Sequence, residues 1–85
     1  MGLPNEYMHI TIAKVDEVFF DGEAASMTVP GAEGEMTILA GHMPLIATLT
    51  QGSVVVREGG NTPEKIFPIQ SGILEVRRDG ATLIL

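Results

Sequence analysis

The sequence contains no cysteine and no tryptophan. The missing cysteine excludes disulfide bonds, a thiol nucleophile and cysteine-ligated metal, so no disulfide framework stabilises this chain of 85 residues. A reducing compartment is compatible with this composition. Aromatic rings are scarce as well, and the only large rings available to a core are those of Phe19, Phe20, Phe67 and Tyr7.

Basic residues are also few, with five lysines and arginines against eleven aspartates and glutamates and a net charge of −6. A chain with this balance, and a calculated pI near 4.6, is unsuited to nucleic acid or anionic lipid as its main partner. We expect a partner surface that is neutral or basic. No basic leader precedes an apolar segment, and no run approaches the roughly 18 apolar residues of a transmembrane helix, so no direct membrane insertion is expected.

The length leaves room for one domain, and 45% hydrophobic residues are enough for a globular core. Residues 1–7 are interpreted as a flexible leader or a cloning remnant, because Gly2, Pro4 and Asn5 all disfavour regular structure. The domain itself is expected to span residues 8–85.

Apolar and polar residues alternate, and glycines interrupt the alternation at intervals of about eight to twelve residues, a pattern typical of an all-β sandwich or barrel. Helical periodicity is nearly absent. Met8, Ile10 and Ile12 place one apolar face on a first strand, and a shift of phase near Lys14 and Val15 predicts a bulge.

Turn signals divide the rest of the chain into short strands. Asp21-Gly22 predicts a hairpin turn leading into a strand that ends at Pro30, and Asp79-Gly80 predicts the last hairpin. Pro68 predicts an edge strand, since proline cannot donate to a β-ladder. The segments "PGAEG" and "GHMP" are read as loops, and strands are predicted around Met36 and Ile38 and over residues 45–50, 52–57, 65–70 and 72–77.

Catalytic patterns are missing from the sequence. His9 and His42 show no HxH, HxxxH or HExxH spacing, and most acidic residues lie beside turns, which is typical of solvated charges. Ser26, Ser53 and Ser71 lack a nucleophile-elbow motif, and the paired glycines lead into no helix with a lysine. We therefore expect no catalytic residue, no bound metal, no cofactor and no small-molecule substrate.

Two other classes stay open at this point. A biotinyl or lipoyl carrier domain has a similar size and fold class, but it displays its acceptor lysine at a tight hairpin, and neither Lys14 nor Lys65 is predicted there. A small β-barrel hydrolase would require a pocket that joins His42 to a serine or to two acids. For His42 itself, three alternatives are open: a protein contact or loop-fixing hydrogen bond, a plain exposed histidine, and a catalytic or metal-binding residue.

Three segments in order carry a resemblance to a known family: "GAEGEMTILAGHMPLIATLTQGSVVV", "FPIQSGILEV" and the closing "DGATLIL". The most specific elements are the "EGE" triplet, the "GHMPL" loop, the glycine of "TQG" and the run "SGILEV". Over residues 8–85 the sequence resembles the N-terminal β-sandwich of the epsilon subunit of F-type ATP synthases, whose mitochondrial counterpart is called delta.

The resemblance implies a flattened β-sandwich of two sheets and about ten strands. It also implies a non-catalytic rotor subunit of the central stalk, which docks on the gamma subunit and on the polar loops of the c-ring and couples ion flow to ATP synthesis. The implied c-ring contacts are Gly31, Ala32, Glu33, Gly34 and Glu35. The implied contacts to the gamma subunit are His42, Met43, Lys14 and Ala47.

Typical family members continue into a C-terminal pair of helices that inhibits ATP hydrolysis and in some members binds ATP. This sequence stops at Leu85 without that pair, as either a naturally short form or a trimmed one. Nucleotide binding is therefore not carried over. The implied location is the cytoplasmic face of the bacterial plasma membrane, as a peripheral part of the ATP synthase.

Overall fold

The computed structural model describes residues 7–85, and in this range the chain forms nine β-strands and no helix. Accordingly, these residues offer no helical segment that is long and apolar enough to cross a membrane. The all-β class is confirmed, with nine strands in this range where about ten were expected. The strands are β1 (Met8–Lys14), β2 (Glu17–Ala24), β3 (Ser26–Gly31), β4 (Gly34–Leu39), β5 (Leu45–Leu49), β6 (Gly52–Arg57), β7 (Lys65–Ile69), β8 (Gly72–Arg77) and β9 (Gly80–Ile84).

The strands pair in the order β2-β1-β9-β8-β5-β3-β6-β7, and β4 pairs with β3. At the β5–β3 step only one residue pair is in register, Gly31 with Leu49. Two backbone hydrogen bonds flank this pair, from Ala32 N to Thr48 O and from Thr50 N to Pro30 O, both 2.9 Å long. All nine strands thus belong to one curled sheet, where two separate sheets were expected, and this narrow connection separates its two halves. We call these halves the first sheet (β2, β1, β9, β8 and β5) and the second sheet (β4, β3, β6 and β7).

The core is aliphatic and includes the three residues predicted on β1, Met8, Ile10 and Ile12, which are all buried. One aromatic contact contributes, because the rings of Phe20 and Phe67 meet edge to face at 6.2 Å. The other buried apolar side chains are Ala24, Met27, Val29, Ile38, Leu49, Val54, Val56, Ile69, Leu74, Val76, Ala81 and Leu83.

The predicted hairpin at Asp21-Gly22 is wrong. Both residues lie inside β2, opposite Thr11 and Ile10 of β1, and the β1–β2 turn lies at residues 15–16. Residues 26–31 do form a strand, β3, but it pairs with β4, β5 and β6 and not with β2. Cross-strand contacts therefore override the local turn preference of Asp-Gly.

The predicted bulge exists at a different place. The register of β1 and β2 shifts between Ile12, which faces Phe20, and Ala13, which faces Val18, so the extra residue is Phe19 of β2. The phase shift seen near Lys14 and Val15 reflects the end of β1 and the start of the turn.

Two further expectations concern the second half of the chain. Pro68 lies in β7, which is the last strand of the path and, among the described residues, pairs only with β6, so the edge position is confirmed. The β8–β9 hairpin is confirmed as well, but its turn residues are 78–79, one residue earlier than predicted, and Gly80 already pairs with Arg77. Of the predicted leader, residues 1–6 lie outside the described residues, and Tyr7 is exposed.

Candidate docking surfaces

The β3–β4 hairpin contains the five residues for which a c-ring contact was predicted. Its strands pair up to Gly31 and Gly34, which leaves Ala32 and Glu33 as a two-residue turn. Gly34 has φ +132°, a conformation that side chains rarely allow, and a Cβ on Gly31 would lie 2.5 Å from the Gly34 carbonyl oxygen. The two glycines therefore permit a tight tip from which Glu33 and Glu35 reach solvent.

An open groove of about 750 Å³ runs between this hairpin and β5, and we call it the hairpin groove. All five residues of the predicted c-ring set line it. Ala47, which was predicted to contact the gamma subunit, lines the same groove. The structure therefore brings together residues that the resemblance had divided between two partners. The lining residues are Gly31, Ala32, Glu33, Gly34, Glu35, Met36, Leu45, Ile46, Ala47 and Thr48.

His42 and Met43 lie in residues 40–44, the segment that joins the two walls of the groove. His42 is half-buried, and its ring Nδ1 lies 2.8 Å from the Met43 carbonyl oxygen, an arrangement in which Nδ1 donates. Its backbone N donates to the Leu39 carbonyl oxygen at 3.0 Å. The histidine thus forms the loop-fixing bonds, while the Met43 side chain is exposed to solvent.

Lys14 belongs to a different part of the surface. Its ammonium nitrogen lies 5.8 Å from the centre of the Phe19 ring, at cation–π distance. It lines a second pocket of about 440 Å³, whose walls include Phe67 and Leu85 and which shares no lining residue with the hairpin groove. The four residues predicted for the gamma subunit therefore do not form one patch.

A row of apolar side chains lies on the outward face of the first sheet, and sequence reasoning did not identify it. Val18 is in register with Ala13, Ala13 with Ile84, and Ile84 with Ile73, so the four side chains share one face across β2, β1, β9 and β8. Val18, Ile84 and Ile73 are 62%, 50% and 48% exposed. We call these four residues the outer apolar row. On β5, Thr48 continues it, and the exposed Ile46 lies in the next row.

Charged residues occupy the other end of the same face. The ring of His9 lies between two carboxylates of β2, with Nε2 2.5 Å from Asp21 Oδ1 and Nδ1 3.2 Å from Glu23 Oε2. The hydrogen bond to Asp21, followed by that to Glu23, raises the pKa of His9 above 6.5. On β8, Arg77 bonds the Thr82 hydroxyl at 3.0 Å and lies 3.4 Å from Glu75. The outward face thus combines an apolar row with a charged margin.

Within residues 7–85, no group of three or more His, Asp or Glu side chains is placed to hold a metal ion. Of the two lysines, Lys65 pairs with Glu58, and Lys14 precedes the tight 15–16 turn with its ammonium over Phe19. The sequence analysis placed neither lysine at a tight hairpin, but Lys14 directly precedes one. Lys14 is the last residue of β1, however, and not a residue of the turn, where a carrier domain displays its acceptor lysine.

Comparisons with known proteins match this chain to one protein family over all of its described residues. Residues 7–85 match the family model described as ATP synthase, Delta/Epsilon chain, beta-sandwich domain. The ATP synthase epsilon chain of Caulobacter vibrioides is 36% identical over 77 residues, which cover 91% of this chain and 87% of that relative. The epsilon chain of Herminiimonas arsenicoxydans is 35% identical over 91% of this chain and 55% of its own length.

A solved ATP synthase structure contains a chain with the same fold. A chain in the cryo-EM structure of the Euglena gracilis mitochondrial ATP synthase, comprising OSCP, F1 and c-ring, superposes with a TM-score of 0.87 at 25% identity. The match covers 98% of this chain and 52% of that one, so this chain spans about half the length of the Herminiimonas and Euglena proteins. Neither the carrier nor the hydrolase alternative is favoured by these matches. The chain therefore belongs to the delta/epsilon chain family of ATP synthases and corresponds to its β-sandwich domain.

Proposed function

We propose that this domain is a non-catalytic part of the central stalk, docks on the gamma subunit through the outer apolar row and contacts the polar loops of the c-ring through the tip of the β3–β4 hairpin. In this position it couples rotation of the ring to the catalytic head. As a peripheral part of a bacterial complex, it lies at the cytoplasmic face of the plasma membrane. The observation that supports the proposal most directly is the outer apolar row itself.

The outer apolar row has exposed valine or isoleucine side chains on three strands, aligned through the half-buried Ala13 on a fourth. Contiguous exposed apolar patches mark interaction sites, because removing apolar surface from water is favourable by about 25 cal/mol per Å² before the costs of association are subtracted. The charged margin beside the row supplies polar contacts at the rim, and the net charge of −6 favours a partner whose facing surface is neutral or basic.

Two of the residues predicted for the gamma contact are chain neighbours of residues on this face. Lys14 follows Ala13, and Ala47 lies between Ile46 and Thr48. Side chains of a strand alternate between its two faces. We therefore propose that the neighbours Ala13, Ile46 and Thr48, whose side chains lie on the outward face, make the contacts predicted for Lys14 and Ala47. The contacts of His42 and Met43 with gamma stay a prediction, which the exposure of Met43 favours.

The gamma proposal is tested by gel filtration of this chain with purified gamma subunit at micromolar concentrations. We expect the native chain to co-elute and the double variant Ile73→Ser/Ile84→Ser to bind about tenfold more weakly or worse, because truncated apolar anchors cost at least 1 to 2 kcal/mol. Ile66→Ser is the matched control, since Ile66 is 58% exposed on β7, in the second sheet. Equal weakening by Ile66→Ser, or no co-elution of the native chain, would contradict the proposal.

The c-ring proposal is tested separately with Glu35→Ala in the assembled enzyme. Glu35 is an exposed carboxylate at the hairpin tip and can accept charge-assisted hydrogen bonds from a polar loop. We expect reduced proton-coupled ATP synthesis with the stalk still assembled. Glu64→Ala is the control, because it removes only an exposed ion pair with Arg57, a type of interaction that stabilises proteins by about 0 to 1 kcal/mol. Unchanged coupling in Glu35→Ala would exclude the contact.

A further inference from the structure

His9 bonds to two residues of the neighbouring strand at once. From the outward face of β1, its Nε2 meets Asp21 Oδ1 and its Nδ1 meets Glu23 Oε2 at 2.5 and 3.2 Å. A neutral imidazole has one N–H and can donate to only one of these carboxylates, whereas an imidazolium has two and donates to both. The geometry is therefore complete only when His9 is protonated.

We propose that protonated His9 acts as a cross-strand clamp that holds strand β2 to strand β1, and that loss of its proton loosens β2. This strand is the first of the path and pairs only with β1 among residues 7–85. The bulge at Phe19 interrupts its ladder, and Asp21 and Glu23 lie between this bulge and the end of the strand at Ala24. The clamp thus fastens the part of the edge strand that lies beyond the interruption.

On its other side, His9 faces no side chain in register that could accept a hydrogen bond in place of Asp21 and Glu23. On the β9 side His9 is in register with Gly80, which has no side chain, and its backbone N donates to the Asp79 carbonyl oxygen at 3.4 Å. The charged groups at that turn are Arg77, Arg78 and Asp79, and Arg77 Nε lies 3.6 Å from Asp79 Oδ1. From β2, Asp21 also accepts a bond from the Thr11 hydroxyl at 3.3 Å, which fixes its carboxylate beside the ring.

The direction of the pH dependence follows from this arrangement. Asp21 first and Glu23 second raise the pKa of His9 above its value of 6.5 in an unfolded chain. The clamp therefore contributes fully below pH 6.5, and its contribution is lost as the pH rises through the folded-state pKa. Val18 of the outer apolar row lies on the turn side of the bulge, so the clamp acts on a different part of β2 and is independent of the proposed function.

The clamp is tested on the 85-residue chain without any partner. Nitrogen NMR of the His9 ring from pH 5 to 9 is expected to show an imidazolium that persists above pH 6.5. The titration midpoint should shift downward in Asp21→Asn, less in Glu23→Gln, and furthest in the double variant. A native midpoint at or below 6.5, or a midpoint unmoved by the double variant, would overturn the proposal.

Amide hydrogen exchange then measures the looseness of β2. At each pH, the exchange rates of residues 20–24 in His9→Gln are divided by those of the native chain, so that intrinsic pH effects cancel. We expect a ratio above one below pH 6.5 that falls towards one at higher pH. His42→Gln, the same substitution at the other histidine, should leave these amides unchanged. A ratio independent of pH, or an equal effect of His42→Gln, would refute the clamp, whether or not the chain binds gamma.

Discussion

Gly31 illustrates how one residue shapes the candidate c-ring contact. The β3–β4 pair closes over two turn residues, and at Gly31 the opposite strand comes so near that a Cβ would overlap the Gly34 carbonyl oxygen. Gly31 is also the residue through which the first and second sheets connect, since it is in register with Leu49. Its missing side chain thus affects both the hairpin tip and the corner of the sandwich.

Gly31→Ala is expected to lower the free energy of unfolding by about 1 to 3 kcal/mol, because backbone must move to accept the methyl group. Chemical denaturation followed by circular dichroism measures the change. Gly22→Ala is the control: its Cβ would meet only the Phe20 ring at 3.5 Å, an ordinary contact, so the change should stay within about 1 kcal/mol. Equal losses in the two variants would show that the close approach at Gly31 has no energetic role.

For the two histidines, sequence reasoning predicted the loop position of His42 but not the hydrogen-bond partners of His9. His42 was placed correctly in a loop, because Gly41 and Pro44 mark it. The partners of His9 were missed, because Asp21 was assigned to a turn and so could not be placed opposite His9. The signal that could have located them is the alternation of His9 and Thr11 with Met8 and Ile10, which needs a partner strand whose outward residues match it.

At the scale of the element, strands β5 to β8 agree with their predicted bounds to within one residue at each end, and β4 lies where a strand was predicted around Met36 and Ile38. Glycine or proline lies close to both ends of β5 to β8, so local sequence was sufficient. Strand β2 was predicted poorly for two reasons: an Asp-Gly pair in its middle imitates a turn, and the bulge at Phe19 changes which residues point inward. Only the pairing with β1 resolves both.

The candidate docking surfaces differ in how far local sequence could locate them. The hairpin tip is a single continuous segment, residues 31–35, and a motif could identify it. The outer apolar row takes Ala13, Val18, Ile73 and Ile84 from four strands, two of them at opposite ends of the domain's sequence. No local pattern links these residues, because the parallel pairing of β1 with β9 is what aligns them.

For the whole molecule, continuity of the core predicts cooperative behaviour. The buried side chains of both sheets form one cluster, and Leu74 of β8 is fully buried in it. We expect Leu74→Ala to destabilise the domain by about 2 to 5 kcal/mol and to shift its unfolding as a single transition. Circular dichroism and NMR peak intensities measured against denaturant should give coincident curves. Separate transitions for the two sheets would contradict a shared core.

The sequence by itself determined the all-β class, most strand positions and the family, because alternation, turn residues and ordered motifs are properties of neighbouring residues. The tertiary structure decided which strands meet. That choice depends on long-range burial and backbone pairing, which no local pattern encodes. It placed Asp21 and Glu23 beside His9, put Ala47 in the hairpin groove, and aligned the outer apolar row across four strands.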